Sequence, residues 1–353
     1  MVNLMANTVL VVGASGVIGR DYIRHVETTT AWNVIGICRR PPESNDRVRY
    51  ISADLSEPDD AMAKLGQLPE VTHMLYAGYT DRQGWAAQRE PNTALLRNTV
   101  DALEAGSPSL ERVVLMQGQK YYGSHLGPFK TPTREDDPRH MPPNFYFDQQ
   151  DLLAQRSAGQ SWDSVCLRPH MVAGYSEGSP MNIVMVLAVY ASICKELDLP
   201  LKFPGKPKAF ASVNQASDAR LLSSAAQWAA TSAHCADQAY NITNGDFYRW
   251  QNFWPRMAQW FDMPAGDVQT ISLQEFMADK KDLWSDMVTR YGLQSIDFES
   301  AINWKFGDYV FSCEWDIMAS TTRCREDGFL EFLDSEQRYL ELFAELRELK
   351  IIP

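Results

Sequence analysis

Among 353 residues there is no Cys-x-x-Cys pair, no run of Lys and Arg, and no apolar stretch of the ~20 residues that span a bilayer. The six cysteines, Cys38, Cys166, Cys194, Cys235, Cys313 and Cys324, are scattered, several of them inside apolar runs. They read as buried free thiols of a reducing compartment, not as disulfide staples or zinc ligands, and no metal is expected. Positive charge is also scarce: 33 Lys and Arg against 45 Asp and Glu leave a net charge of −12. Wrapping a phosphate backbone would need a segregated basic face, so nucleic acid is not an expected partner. The longest apolar segment, Met181–Cys194, is 14 residues long and is broken by Asn182, Tyr190 and Ser192. At the N-terminus the apolar run Val9–Val12 stops at Gly13, with no cationic region before it and no cleavage site after it. A cytoplasmic protein without a membrane partner is the expectation.

What is present suits a globular, enzyme-sized chain: 45% apolar, 11% aromatic and 22% charged residues, enough to fill a sizeable core. At ~150 residues per domain this is one large domain or two closely joined ones. Strands are predicted at Thr8–Val12, Val34–Cys38, Val48–Ser52, Met74–Ala77, Arg112–Met116 and Ser164–Leu167. Helices are predicted from Gly19 to about Glu27, around Ala61–Leu65 and over Thr93–Ala105. Six strands alternating with helices predict an α/β fold, a doubly wound parallel sheet covered on both faces. Beyond about Val172 the pattern turns helical and rich in Trp and Met, as in a smaller lobe that covers a substrate. The expected division is 1–175 for a dinucleotide-binding domain and 176–353 mainly for that lobe, with segments around 210–250 packing back on the first part. The stretch Ser124–Pro143, dense in Pro, Gly and charge, reads as a long loop of the kind that borders active sites.

Gly13-Ala14-Ser15-Gly16-Val17-Ile18-Gly19 lies between the first strand and the first helix. Its three glycines suit the tight turn, the approach of backbone to a pyrophosphate, and close helix–strand packing, with the phosphate charge received at the helix N-terminus. The alternative is a plain strand-to-helix turn. This G-x-x-G-x-x-G spacing resembles that of extended short-chain dehydrogenases/reductases. The second strand ends Cys38-Arg39-Arg40, with no acid to take the ribose hydroxyls. A guanidinium there suits the 2′-phosphate of NADP(H), one of the two arginines merely solvating the strand end. Asp54-Leu55, after the third strand, suits an adenine contact; helix N-capping by Asp54 or Ser56 is the competing reading.

The catalytic pattern expected of that group, Tyr-x-x-x-Lys, is absent: no tyrosine has a lysine four residues on. Tyr146, which opens a helix predicted over Phe147–Ala158, has Gln150 in that place. Lys120, however, follows the fifth strand in Met116-Gln117-Gly118-Gln119-Lys120-Tyr121-Tyr122-Gly123, at the carboxyl end of the sheet where ligands bind. It could supply the missing charge from another element.

With Gln117–Gly123 go Asn144-Phe145-Tyr146-Phe147, Arg168-Pro169-His170, Met181-Asn182, Tyr190–Lys195, Leu201–Gly205, Tyr240–Asp246 with Trp250 and Trp254, and Asp316–Phe329. From residue 8 to about 330 the chain resembles the progesterone 5β-reductase/iridoid synthase family of atypical short-chain reductases. The resemblance implies an NADPH-dependent enone reductase with Lys120 and Tyr146 as its catalytic pair. It further implies that Gln117, Gly78, Tyr79, Tyr146, Val172, Ser179, Pro180 and Met181 line the cofactor with Ser15, Val17 and Ile18 of the glycine loop. Two departures stand out. Phe147 replaces the family's second tyrosine, and the loop between Lys120 and Tyr146 looks shorter than in plant members, so a bulky steroid is not implied. The expected substrate is a small-molecule, apolar enone, its size left open, reduced by hydride addition to the β-carbon while Tyr146 stabilises the enolate oxygen and Lys120 supports it. A carbonyl (1,2) reductase or sugar-nucleotide enzyme on the same scaffold is the competing enzyme class, and a non-catalytic NADP sensor the competing non-enzyme. His170 is set aside as a packed histidine. A homodimer is left open.

Overall fold

The computed structural model describes residues 6–176, 179 and 181–353. Seven parallel strands form its central sheet: β1 (Thr8–Val12), β2 (Asn33–Cys38), β3 (Val48–Ser52), β4 (His73–Tyr76), β5 (Arg112–Met116), β6 (Asp163–Pro169) and β7 (Ala239–Ile242). Their spatial order is 7-6-5-4-1-2-3. The order reverses between β1 and β4, and the crevice at that switch point is where such sheets bind ligands.

Alternation along the strands places Val9, Val11, Leu75 and Val114 on one face and Leu10, Val12, Met74 and Val113 on the other. Both faces are covered, so the inner strands β1, β2 and β4 are mostly apolar, whereas the edge strand β3 exposes Arg49 and Ser52. The first face is closed by α1 (Val17–Thr29) and a helix from the second half, Ala219–Thr231. The second is closed by α2 (Pro58–Leu65), α3 (Trp85–Gly106) and α4 (Phe145–Ser157). A third apolar cluster lies outside the sheet. It is built on α5 (Ile183–Glu196), in which every residue from Ile183 to Cys194 is buried, and on aromatics such as Trp250, Trp254, Phe311 and Tyr339. The longest apolar run of the sequence is therefore a core helix, apolar on all sides because it is packed on all sides. Among the described residues no helix is long and apolar enough to cross a membrane.

Two expectations need correction. The sheet has seven strands, not six, because Ala239–Ile242 pairs with β6 in parallel, Asn241 opposite Arg168. Helix α3 starts at Trp85 and runs through Pro91, whereas the sequence pattern begins it at Thr93. The extra turns are tied down by Asn92, whose side-chain amide donates to the carbonyls of Gln88 and Thr80, both at 2.9 Å.

Candidate active site

At the carboxyl ends of these strands lies a cavity of about 690 Å³, lined from the glycine loop at one end to Lys120 and Tyr146 at the other. Gly13 sits at φ +83°, and a Cβ on it would come within 2.7 Å of the Ala77 carbonyl, so the turn from β1 requires glycine. A Cβ on Gly19 would collide with the Gly13 carbonyl, which keeps α1 tight against the loop. Gly16 differs. The nearest atom to its Cβ would be the Gly13 oxygen at 3.4 Å, and Gly16 faces the cavity, so its missing side chain leaves room for a ligand. Gly16 is also the N-cap of α1 and supplies no side-chain cap, leaving first-turn N–H groups open beside Ser15, Val17 and Ile18. A bare helix N-terminus with a cradle in front of it fits a dinucleotide pyrophosphate.

Past β2, Arg39 and Arg40 are both exposed, and of the two only Arg39 lines the cavity. Asp54 and Leu55 line it after β3. Asp54 is not the cap of α2, whose N-cap is Glu57 followed by Pro58. Its carboxylate instead accepts from the Ser56 N–H (3.0 Å) and hydroxyl (2.6 Å), bonds that hold its pKa below the usual carboxylate range. Gly78, Tyr79, Gln117, Val172, Ser179 and Met181 all line the cavity, while Pro180 lies outside the described residues.

Lys120 follows Gln119, the first residue of a 3-10 turn, Gln119–Tyr122, that continues from β5. Its ammonium lies 5.2 Å from the Trp85 ring centroid and 5.9 Å from that of Tyr309, with the Met181 sulfur at 3.7 Å. No carboxylate pairs with it among the described residues. Burial lowers its pKa, and the aromatic faces partly replace lost solvation.

Tyr146 stands at the start of α4, its hydroxyl close over Gly118 at the end of β5. Burial raises the phenol pKa above its ordinary range, and no charge lowers it, that of Lys120 included. It is therefore held as a neutral hydrogen-bond donor. The two residues are joined through other groups. The Asn144 side chain caps α4 by accepting from Tyr146 N–H (3.0 Å) and donates to the Lys120 carbonyl (2.9 Å). Gln117 donates to the Tyr146 carbonyl at 2.9 Å and accepts from Arg168 at 3.0 Å. Arg168, 1% exposed, also donates to the Tyr122 hydroxyl and to Gln150, and its guanidinium lies 3.4 Å from the Tyr121 ring centroid. Gln150, one turn beyond Tyr146, thus turns to this buried cation and away from the phenol. Phe147 packs on Tyr121 outside the cavity lining, so the departure at that position does not touch the site.

Three contributors escaped sequence reasoning. The Asn144 bridge had no signal beyond its motif, and Phe306 and Tyr309, which wall the cavity from the helix Trp304–Phe311, are lost among the many aromatics of the second half.

Comparison with known proteins bears on the family and the fold. Residues 52–353 match the model of the PRISE-like Rossmann-fold domain. The chain is 33% identical to an (S)-8-oxocitronellyl enol synthase of Nepeta cataria over 98% of its own length and 92% of that protein's. It is 32% identical, with the same coverage, to the 3-oxo-Delta(4,5)-steroid 5-beta-reductase of Arabidopsis thaliana. Among solved structures, the epimerase Mth375 of Methanothermobacter thermautotrophicus superposes with a TM-score of 0.70 at 13% identity, covering 98% of this chain and 94% of that one, which supports the fold alone. With a family match over most of its length and two full-length relatives above 30% identity, the chain belongs to the PRISE-like Rossmann-fold family.

Proposed function

We propose that the protein is an NADPH-dependent enone reductase, acting on the C=C bond of an apolar, small-molecule α,β-unsaturated carbonyl compound. The observation that carries this reading is an ammonium that makes no direct ion pair among the described residues and a neutral, half-buried phenol on one cavity, continuous with the glycine loop. NADPH supplies the hydride. The glycine loop and the α1 N-terminus hold the pyrophosphate, Arg39 takes the 2′-phosphate with Arg40 contributing charge from outside, and Asp54 and Leu55 meet the adenine. When hydride reaches the β-carbon, the C=C electron pair shifts and negative charge collects on the carbonyl oxygen as an enolate, whose α-carbon then takes a proton from solvent to give the saturated carbonyl compound. Tyr146 donates a hydrogen bond to that oxygen and Lys120 balances the charge from its aromatic seat, a stabilisation that is strong where water is excluded. Residues 1–175 bind the dinucleotide and 176–353 mainly wall the substrate, with segments around 210–250 returning to the sheet. All six cysteines are buried and free, which suits a cytoplasmic location. A homodimer is compatible with this scheme, which needs no residue from a partner.

The test is NADPH deuterated at the transferred position, offered with small enones and with matched saturated ketones. The expected product is a saturated carbonyl compound with deuterium at the β-carbon. Tyr146→Phe should lower kcat by about 10²–10³ while leaving NADPH affinity unchanged. An allylic alcohol as main product would overturn the reading.

A further inference from the structure

His170, which sequence reasoning set aside as a packed histidine, is not satisfied by its surroundings. Its Nε2 is buried and has no hydrogen-bond partner among the described residues, and the residue lines the cavity at the end that holds Lys120 and Tyr146. A buried polar nitrogen without a partner is costly, and such a group on a ligand cavity points to a polar atom of the ligand.

The backbone around it is built to keep the ring there. The His170 N–H donates to the Ser217 hydroxyl at 2.9 Å, and that hydroxyl donates to the Ile242 carbonyl of β7 at 2.7 Å. Met171, the next residue, is held at φ +40°, a left-handed conformation that a non-glycine residue rarely adopts. The following Val172–Ala173 pairs with Ser217–Asp218. The chain thus leaves β6 through a sharp, pinned corner. Burial and the nearby Lys120 push the His170 pKa down to about 4, so the ring is neutral at physiological pH and does not act as a cationic acid.

We propose that His170 Nε2 binds the carboxamide of the nicotinamide ring, fixing its orientation in the site. This rests on the dinucleotide reading of the cavity. Two arguments favour the carboxamide over the substrate carbonyl. A primary amide offers both an N–H donor and a C=O acceptor, so it satisfies Nε2 in either tautomer, whereas a ketone or aldehyde oxygen satisfies only the protonated nitrogen. The developing oxyanion, moreover, already has Tyr146 and Lys120.

The experiment measures dissociation constants of NADPH and of 2′-phospho-ADP-ribose, which lacks the nicotinamide, for the unsubstituted protein, His170→Phe and His170→Gln. His170→Phe is expected to weaken NADPH about ten-fold and to leave 2′-phospho-ADP-ribose unchanged, which also certifies that the variant is folded. His170→Gln, which keeps a polar end, is expected to retain most of the NADPH affinity. Undiminished NADPH binding by His170→Phe overturns the proposal. So does an equal loss for both nucleotides in both variants, which reports a disturbed site, and so does a raised enone KM with NADPH binding intact, which assigns the ring to the substrate. If the unsubstituted protein binds neither nucleotide, the dinucleotide reading itself falls and this inference with it.

Discussion

A single amide, that of Asn144, fixes the spacing of Lys120 and Tyr146, because its oxygen holds one backbone and its nitrogen the other. The two functions can be separated. Serine still caps a helix but cannot reach the Lys120 carbonyl, whereas alanine does neither. Asn144→Ser is expected to be more stable than Asn144→Ala by about 1 kcal/mol, while both lose kcat to a similar degree. Thermal unfolding beside steady-state kinetics checks this, and full kcat in Asn144→Ser would show that the bridge is dispensable. At this scale the sequence was legible where chemistry depends on residue type: a lysine at a strand end, a tyrosine at a helix start, a glycine triplet. It was not legible where chemistry depends on which way a side chain turns. Nothing in Gln150 announces that it faces Arg168, and nothing in His170 announces an unpartnered Nε2, because both follow from tertiary packing.

Between β1 and α1, two glycines that look alike in sequence do different work. Gly19→Ala forces backbone against backbone at Gly13 and is expected to destabilise the fold by roughly 1–3 kcal/mol. Gly16→Ala meets no protein atom closer than 3.4 Å and should unfold like the parent, yet its methyl group occupies the cradle and should abolish tight NADPH binding. Denaturant unfolding and NADPH titration of the two variants decide the matter; normal binding by Gly16→Ala would remove the pyrophosphate from that position. The same contrast explains which elements could be foreseen. Strands β1, β2, β4 and β5 are mostly apolar runs bounded by turn residues, and β3 keeps Val48, Tyr50 and Ile51 between polar residues. Strand β7 is only Ala-Tyr-Asn-Ile, with a polar Asn241 whose burial makes sense only once Gln119 and Tyr122 are seen to donate to it. In α3, the sequence pattern begins at Thr93, and only the Asn92 bonds to Gln88 and Thr80 show why the helix extends upstream.

Over the whole molecule, buried histidines set the response to acid. His73 and His170 are pushed from 6.5 down to about 4, chiefly by burial, with Arg112 beside the first and Lys120 beside the second. Below pH 6.5 the unfolded chain takes up protons that the folded protein does not accept until about pH 4. Their stabilisation is therefore complete above pH 6.5 and declines as pH falls, by about 1.4 kcal/mol per pH unit for each ring. His125 shifts in the same direction. Asp21, raised to about 6 by burial and by Asp218, has the opposite sign: its contribution is present at low pH and is lost as pH rises through 6, so it offsets part of the decline. The net expectation is a lower Tm at pH 5 than at pH 7, and equal values would contradict the assignment of these rings as buried and neutral. The pairing of β7 with β6 has a consequence for how the protein is made. Asn241 accepts from Gln119 and Tyr122 on either side of Lys120, and Ile242 anchors the Ser217 hydroxyl beneath His170. A nascent chain that has just emptied its first 175 residues from the ribosome therefore has its glycine loop but an open edge at β6, and its reactive centre is assembled only after β7 and, later still, Tyr309 beside Lys120 have been translated.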